Sequence, residues 1–204
     1  PNSAGGLYPM MMGDNDLDKL NYAADLLNLP LQIGWIQWFL AIEDHELLIE
    51  VEREFILDKM NLLGLRKHFP TKDRYKECLK LLLSNKVPTE EDLQDQKFLE
   101  LNTDTSDLFG LIHARYVQSS CGLAQIYGKY LQGQYGHCPR ALCDRQRVVP
   151  VGTSDKLKTS RLKVFCPKCE EIYLPKYKNI NIDGAFYGTS IAHIFMTTYS
   201  KAII

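Results

Sequence analysis

The chain contains 204 residues with a formal net charge of −1, and 45% of its residues are hydrophobic and 24% charged. This composition is ordinary for a globular protein of one or two domains and excludes wholesale disorder. No apolar run approaches the ~20 residues of a membrane span, and the first residues lack the pattern of a secretion signal. We therefore expect a soluble chain with no membrane partner that is not secreted.

Charge is distributed unevenly along the sequence. Residues 1–34 carry four Asp and one Lys, and residues 35–133 carry sixteen acidic and twelve basic residues. Residues 134–180 reverse the balance, with ten basic and four acidic residues, whereas residues 181–204 are neutral overall. This asymmetry predicts two domains that meet near residue 134.

The segment 1–34 is interpreted as a mobile extension, in which a short helix-like stretch from Leu20 to Leu29 is stopped by Pro30. The segment 35–133 predicts an all-helical domain that opens with a short buried element at residues 35–42.

Four further predicted elements make up the rest of the helical domain. Apolar spacing from Leu47 to Leu65 predicts a helix that ends near Gly64, and Thr71 is placed to cap the next helix. Residues 84–105 then form a polar, acidic loop. A longer helix is predicted to start near Ser106, with an interruption at Gly122 and an end at Gly133.

After Gly136 the pattern changes to short β-rich runs, which are Arg147–Val151, Leu162–Phe165 and Ile172–Leu174. They flank the cysteines as hairpin strands flank a zinc ribbon.

Four of the six cysteines form two close pairs. Four residues separate Cys138 from Cys143, two separate Cys166 from Cys169, and twenty-two lie between the pairs. Such spacing is typical of a structural zinc site, in which four thiolates fill a tetrahedral shell and leave no position for a substrate. We predict one structural Zn²⁺ per chain. The fold class is then α+β, with an N-terminal all-α domain followed by a small antiparallel β zinc ribbon over residues 134–180.

The remaining cysteines, Cys78 and Cys121, lie in helix-like stretches and are interpreted as small buried hydrophobes. His137 adjoins a ligand, but four thiolates suffice, so we interpret it as a spectator. A chain without a disulfide pattern is typical of a reducing compartment, and we expect cytoplasmic and nuclear localisation.

No catalytic constellation stands out, and we expect no enzymatic activity. His113 has no evident serine or cysteine partner, so it is interpreted as a packed or capping histidine. No Gly-rich phosphate loop is present. The acidic residues of the loop lack the paired, buried setting of general acid–base catalysis and are interpreted as solvated; they are Glu90, Glu91, Asp92 and Asp95.

The ribbon segment indicates two kinds of partner. Its net charge of +6 would suit a nucleic-acid backbone, with binding that weakens steeply as salt rises, but its cations are not interleaved with stacking aromatics. Its apolar residues exceed what a small hairpin covers; they are Val148, Val149, Val151, Ile172, Tyr173 and Leu174. This excess favours a homodimer, with a nucleic-acid-binding zinc ribbon as the alternative.

Several groups of residues follow one another in a fixed order. They are Trp35-Ile36-Gln37-Trp38-Phe39, Asp58-Lys59 with Asn61-Leu62 and Gly64-Leu65, residues 110–116, the paired cysteines with Pro139 and Pro167, and Asp183-Gly184-Ala185 with Gly188. Together they resemble the regulatory, or beta, subunit family of casein kinase II over about residues 35–198.

The resemblance implies a non-catalytic subunit whose ribbon pairs with that of a second copy. The homodimer would bind two casein kinase II catalytic subunits in a heterotetramer and modulate their activity and substrate choice. By resemblance, the acidic loop would bind polyamines or basic protein segments. The dimer interface would include Pro139, Val149, Val151, Ile172 and Tyr173, and Thr89, which precedes three acids, fits an acid-directed phosphosite.

Two features depart from the family pattern. The family continues past the position of Tyr199 with a tail whose aromatic residues anchor the catalytic subunit, and segment 181–204 is truncated relative to it. The family's N-terminal cluster of serines followed by acids, where autophosphorylation occurs, is absent, because Ser3 precedes Ala and Gly.

Overall fold

The structure, a computed structural model, describes residues 33–176 and 181–203. Its helices are α1 (Trp35–Leu40), α2 (Arg53–Leu57), α3 (Lys72–Leu82), α4 (Glu90–Gln94), α5 (Gln96–Tyr116), α6 (Ser120–Leu131) and α7 (Ile191–Ile203). Its strands are β1 (Val149–Val151), β2 (Lys163–Phe165) and β3 (Ile172–Tyr173). Short 3₁₀ turns occupy Glu43–His45, Leu65–His68, Ala141–Cys143 and Gly184–Phe186. The helix predicted at residues 20–29 lies outside the described residues.

Helix α5 is the centre of the helical region, and α1 is fixed against it by aromatic contacts. The rings of Trp35 and Phe39 stack with centroids 4.7 Å apart, and Phe109 of α5 meets Phe39 edge-on at 5.2 Å. The indole N–H of Trp35 donates to the side-chain oxygen of Asn102, at 2.8 Å. Because this indole is fully buried, the hydrogen bond removes the cost of an unpaired donor.

The single helix predicted from Leu47 to Leu65 is wrong. Only α2 is helical within this stretch, and residues 58–64 form turns. The guanidinium of Arg115 donates to the carbonyls of Asn61 and Leu63, at 2.6 and 2.8 Å, so a side chain from α5 satisfies backbone groups that a helix would pair internally. The helical spacing of apolar residues did not mark one buried face, since Met60 and Leu63 are exposed.

The predicted loop at residues 84–105 is also largely wrong as a structure, because it contains α4 and the first ten residues of α5. The side chain of Asp95 accepts a hydrogen bond from the backbone N–H of Lys97 and caps α5. Because polar residues such as Asn102 and Thr105 are buried here, the spacing of apolar residues does not reveal this half of the helix.

The predicted interruption near Gly122 lies slightly earlier, at residues 117–119. Ser119 caps α6 by accepting from the backbone N–H of Gly122, at 3.1 Å. A Cβ on Gly122 would lie 2.0 Å from the carbonyl oxygen of Tyr116, so only glycine permits this close approach between the two helices.

The three strands form one antiparallel sheet in the order β1-β2-β3, with Val149 opposite Phe165 and Val164 opposite Tyr173. A helical region followed by a small antiparallel sheet confirms the predicted α+β fold.

The segment after the sheet contacts both the helical region and the sheet. The ring of Phe186 occupies the space that Gly110 leaves on α5, where a Cβ would lie 2.0 Å from the ring. Helix α7 packs against β1, and its Tyr199 stacks on Tyr127 of α6 with centroids 4.2 Å apart. Within residues 33–176 and 181–203, no helix has the length and apolar character needed to cross a bilayer.

His113 ties three segments together from a fully buried position on α5. Its Nδ1 lies 2.6 Å from the carbonyl oxygen of Phe186, and its Nε2 lies 3.1 Å from the backbone nitrogen of Ile49. A carbonyl only accepts and an amide N–H only donates, so the imidazole is neutral with its proton on Nδ1. The prediction of a packed histidine is confirmed, and burial lowers the pKa of His113 to about 4.

This pKa predicts a loss of stability in mild acid. In the unfolded chain His113 has its ordinary pKa of 6.5, so as pH falls below that value the unfolded state takes up a proton that the folded state refuses until about pH 4. We expect His113 to account for a loss of about 2 kcal/mol in unfolding free energy between about pH 7 and pH 5.

Urea unfolding of the wild type and of His113→Gln at both pH values measures this loss. His68→Gln, at an exposed side chain, is the matched control and should keep the wild-type difference. If His113→Gln loses as much stability on acidification as the wild type, the assignment is wrong.

Candidate metal centre

Two turns of similar construction bring the cysteine pairs together. Cys143 ends a 3₁₀ turn and is followed by two residues in the left-handed region, Asp144 at φ 54° and Arg145 at φ 57°. Cys169 is likewise followed by a left-handed residue, Glu170 at φ 56°. The chain therefore reverses sharply after the second cysteine of each pair, so that both members of the pair face one point.

Backbone hydrogen bonds hold the two turns against their strands. The N–H of Cys138 donates to the carbonyl of Gln146, at 2.7 Å, and the N–H of Cys166 donates to that of Glu171, at 3.0 Å. Each turn is thus closed by a backbone hydrogen bond that does not require a bound metal ion.

The four sulfurs converge on one site, with all Sγ atoms within 4.8 Å of one another. The Sγ atoms of Cys138 and Cys169 are 3.8 Å apart, and those of Cys143 and Cys166 are 3.9 Å apart. Four sulfurs placed tetrahedrally about 2.3 Å from one ion would be about 3.8 Å apart. The arrangement therefore fits a tetrahedral metal ion with four sulfur ligands, as the sequence predicted. His137 is not part of this cluster.

Tyr173 supports the cluster from β3. Its hydroxyl lies 3.3 Å from the sulfur of Cys169, and this hydrogen bond lowers the pKa of the Cys169 thiol to about 6. Burial acts in the opposite direction on Cys143 and raises its pKa to about 12. A metal ion binds thiolates, so a donor that stabilises the deprotonated sulfur favours the metal-bound state.

The acidic residues of the predicted loop lie on and beside α4. Asp92 forms a capping box with Thr89, whose side chain accepts from the backbone N–H of Asp92, at 3.2 Å. Asp95 is occupied as the cap of α5, whereas Glu90 and Glu91 are exposed. The four carboxylates therefore divide into two that hold helix ends and two that project from the first turn of α4.

The residues predicted at the dimer interface fall into two groups. Val149 and Val151 are 0% and 3% exposed, and α7 packs against their strand. The inference that these valines need a second chain to cover them is therefore wrong. Pro139 and Ile172 are exposed, and Tyr173 is half-buried.

Sequence reasoning missed one apolar side chain beside the metal centre. Leu142, between the first pair of cysteines, is 86% exposed, and Leu174, just past β3, is 74% exposed. An apolar residue between two metal ligands, in a turn too tight to fold it inward, was the signal that could have identified Leu142.

The fold and the site together define a class of protein: a helical protein that carries a small β ribbon closed by four clustered cysteines that could hold a metal ion. A metal ion held by all four sulfurs would have no open position for a substrate.

Comparison with known proteins agrees with this class. Residues 34–203 match the family model described as casein kinase II regulatory subunit. The chain is 39% identical over 171 residues to casein kinase II subunit beta of Schizosaccharomyces pombe, covering 83% of this chain and 71% of that protein. It is 37% identical over 169 residues to casein kinase II subunit beta-3 of Arabidopsis thaliana, covering 82% of this chain and 60% of that protein.

A third relative, casein kinase II subunit beta of Dictyostelium discoideum, is 35% identical over 175 residues, covering 84% of this chain and 63% of that protein. The chain belongs to the casein kinase II regulatory subunit family. This family is regulatory and non-catalytic, which agrees with the expectation from sequence that the chain is not an enzyme.

Removing one sulfur should release the metal. We expect Cys166→Ser to lose its bound metal ion and to unfold the ribbon, because the remaining three thiolates leave the shell open and metal binding supplies folding free energy directly. Metal analysis of the purified chain, with circular dichroism, measures both effects.

The interpretation of Cys78 as buried is confirmed, whereas that of Cys121 is wrong, because Cys121 is exposed. Cys121→Ser, outside the cluster, is therefore the matched control and should retain one metal ion per chain. A Cys166→Ser chain that keeps a full equivalent of metal would contradict the four-sulfur assignment.

Proposed function

We propose that this chain is the regulatory subunit of a casein kinase II holoenzyme, in which a zinc-stabilised homodimer docks catalytic subunits and modulates their activity and substrate choice. The observation that carries the proposal is the four-sulfur cluster at the tip of a ribbon that leaves apolar side chains uncovered. The match over residues 34–203 supports it.

Zinc is proposed as the metal because of the ligand set. Zn²⁺ prefers four-coordinate tetrahedral sites with sulfur and nitrogen ligands, and the sulfur spacings of 3.8 and 3.9 Å suit its bond length. Its place is structural, at one ion per chain. The chain needs reduced thiols to bind it, which supports localisation in the cytoplasm and nucleus.

The homodimer is proposed to form through the ribbon tip. Leu142, Ile172 and Leu174 are 86%, 46% and 74% exposed. Leu142 lies between the first two cysteines of the cluster, and Ile172 and Leu174 lie in and just past β3, which follows the second pair. Exposed apolar side chains in the segments beside the four cysteines favour burial against another chain, and a two-fold axis would bring like surfaces together. Pro139 and Tyr173 lie beside these residues in the sequence, whereas Val149 and Val151 are buried within the chain and support the ribbon from inside.

Helix α4 is proposed as the regulatory acidic surface for polyamines or basic protein segments. Glu90 and Glu91 are exposed, and Asp92 and Asp95 add charge from their capping positions. Phosphorylation of Thr89 is proposed to act on the same surface, because its hydroxyl also donates to the Asp92 carboxylate at 2.9 Å. A phosphate there would replace that hydrogen bond with repulsion.

The ribbon tip gives a direct test of the dimer. We expect Leu142→Asp combined with Leu174→Asp to raise the dimer dissociation constant at least about tenfold, since each substitution would place a charge in an apolar contact. Sedimentation at several chain concentrations measures this constant.

Leu57→Asp, at a side chain 56% exposed on α2, is the control and should dimerise as the wild type does. Unchanged dimerisation of the double variant with metal still bound would overturn the proposed interface.

Kinase docking is tested by sedimenting the zinc-loaded chain with a casein kinase II catalytic subunit. We expect the two to co-sediment in a complex that contains two copies of each. The complex should persist in salt that dissociates nucleic acid from basic proteins. A dimer that does not bind the catalytic subunit would contradict docking through residues 1–204, and salt-sensitive binding of nucleic acid would favour the alternative.

A further inference from the structure

The stretch that follows α2 carries three exposed apolar side chains far from the ribbon in sequence. Leu57, Met60 and Leu63 are 56%, 71% and 69% exposed. The backbone N–H of Leu63 donates to the carbonyl of Met60, at 3.3 Å, so these two residues are one 3₁₀-like turn apart and their side chains lie one above the other. We call residues 57–63 the apolar turn. Single exposed apolar residues are common, but three within one short turn form a patch.

Contacts with the helical region hold the apolar turn in this shape. The guanidinium of Arg115 on α5 donates to the carbonyls of Asn61 and Leu63, at 2.6 and 2.8 Å. Leu62, in the same turn, packs against the core and so occupies the inward side. Met60 and Leu63 therefore stay on the outside unless the turn unfolds. A surface that is already fixed can bind a partner with little further loss of conformational entropy.

The charge beside the apolar turn is positive. Lys59, Arg66 and Lys67 are exposed, and in the part of the chain that the structure describes none of them forms an ion pair. Residues 57–68 contain three basic residues and one acidic residue, whereas the remainder of residues 35–133 contains nine basic and fifteen acidic residues. The apolar turn is therefore part of a positive area on an otherwise acidic region.

The other charges near the apolar turn leave this balance in place. The carboxylate of Asp58 accepts a hydrogen bond from the backbone N–H of Met60, at 2.9 Å. Arg115 adds a half-buried positive charge beneath the turn, because its hydrogen bonds to Asn61 and Leu63 go to neutral carbonyls. Glu54, on α2, is exposed and bounds the positive area on the side of the preceding helix.

We propose that the apolar turn docks an amphipathic helix of another protein, with acidic residues beside its apolar face. Met60 and Leu63 are about 6 Å apart along their turn, and residues four apart on a helix are also about 6 Å apart along its axis. Both side chains thus fit between successive rows of side chains on one helix. The acidic residues of that helix lie beside Lys59 and the cations that follow the turn. This inference depends on neither the proposed dimer nor kinase docking.

Two other occupants fit the apolar turn less well. A two-fold pairing with a second copy, centred on Met60, would bring two Lys59 ammonium groups together, because Lys59 adjoins Met60 in the chain. A nucleic-acid backbone would pair with the cations but would place its charged phosphates against Met60 and Leu63. An acidic amphipathic helix satisfies the apolar side chains and the cations together.

Methionine-methyl NMR of the full zinc-loaded chain tests the proposal, because Met60 itself reports the contact. The probe is a helical peptide of about 16 residues with leucines at i, i+3, i+4 and i+7 positions and glutamates elsewhere. We expect it to shift the Met60 signal and to leave that of Met196, on α7, unchanged. The dissociation constant read from Met60 should be at least about tenfold lower than for the same peptide with lysines in place of glutamates.

Two double variants separate the apolar and the charged parts of the contact. Leu57→Ser with Leu63→Ser keeps the Met60 reporter and should weaken binding of the acidic peptide at least about tenfold. Lys59→Glu with Lys67→Glu should reverse the preference between the two peptides. All four side chains are exposed, so the melting temperature and the metal content should stay at their wild-type values.

The ribbon-tip variant Leu142→Asp with Leu174→Asp is the matched control, since its exposed apolar residues lie elsewhere, and it should bind the acidic peptide as the wild type does. A Met60 signal that does not shift at about 1 mM acidic peptide, or that shifts equally with both peptides, would overturn the proposal. A Met60 signal that moves when the chain alone is concentrated would assign the turn to a second copy and would also overturn it. So would a shift caused by duplex DNA but not by the acidic peptide.

Discussion

The convergence of four sulfurs is the constraint on which the ribbon depends. Its three strands are only three, three and two residues long, too short to be stable through their own hydrogen bonds. The left-handed residues after Cys143 and Cys169 adopt a conformation that costs free energy for side chains other than glycine. A metal ion bound by all four thiolates would offset these costs, because its binding free energy would also be folding free energy.

The ribbon is in turn anchored to the helical region at several separate points. Helix α7 covers the valines of β1. The ammonium of Lys158, in the β1–β2 connection, lies 2.8 Å from the carboxylate of Asp107 on α5, and the backbone N–H of Lys158 donates to Asp183. His113 joins the return segment to α5 because its Nδ1–H donates to the carbonyl of Phe186, and its lowered pKa keeps the imidazole neutral at neutral pH. With the ribbon's inner face thus occupied, its tip, around Leu142 and Leu174, is the surface that we propose for a partner.

Sequence reasoning predicted the features that depend on residue identity. The four cysteines, the order of helices before strands and the packed role of His113 could all be read from the chain. It failed where tertiary contacts replace local signals. The turns at residues 58–64 are held by Arg115 from a distant helix, and the start of α5 is hidden by buried Asn102 and Thr105. The burial of Val149 and Val151 depends on α7, whose position no local pattern specifies.

We propose that metal binding and dimerisation are one equilibrium. Native mass spectrometry during a chelator titration tests it directly, because mass reports the number of chains and of metal ions in the same molecule. We expect dimers that carry two zinc ions and metal-free chains that are monomers, and the two forms should interconvert as chelator is added. A metal-free dimer that persists at the same chain concentration would contradict it.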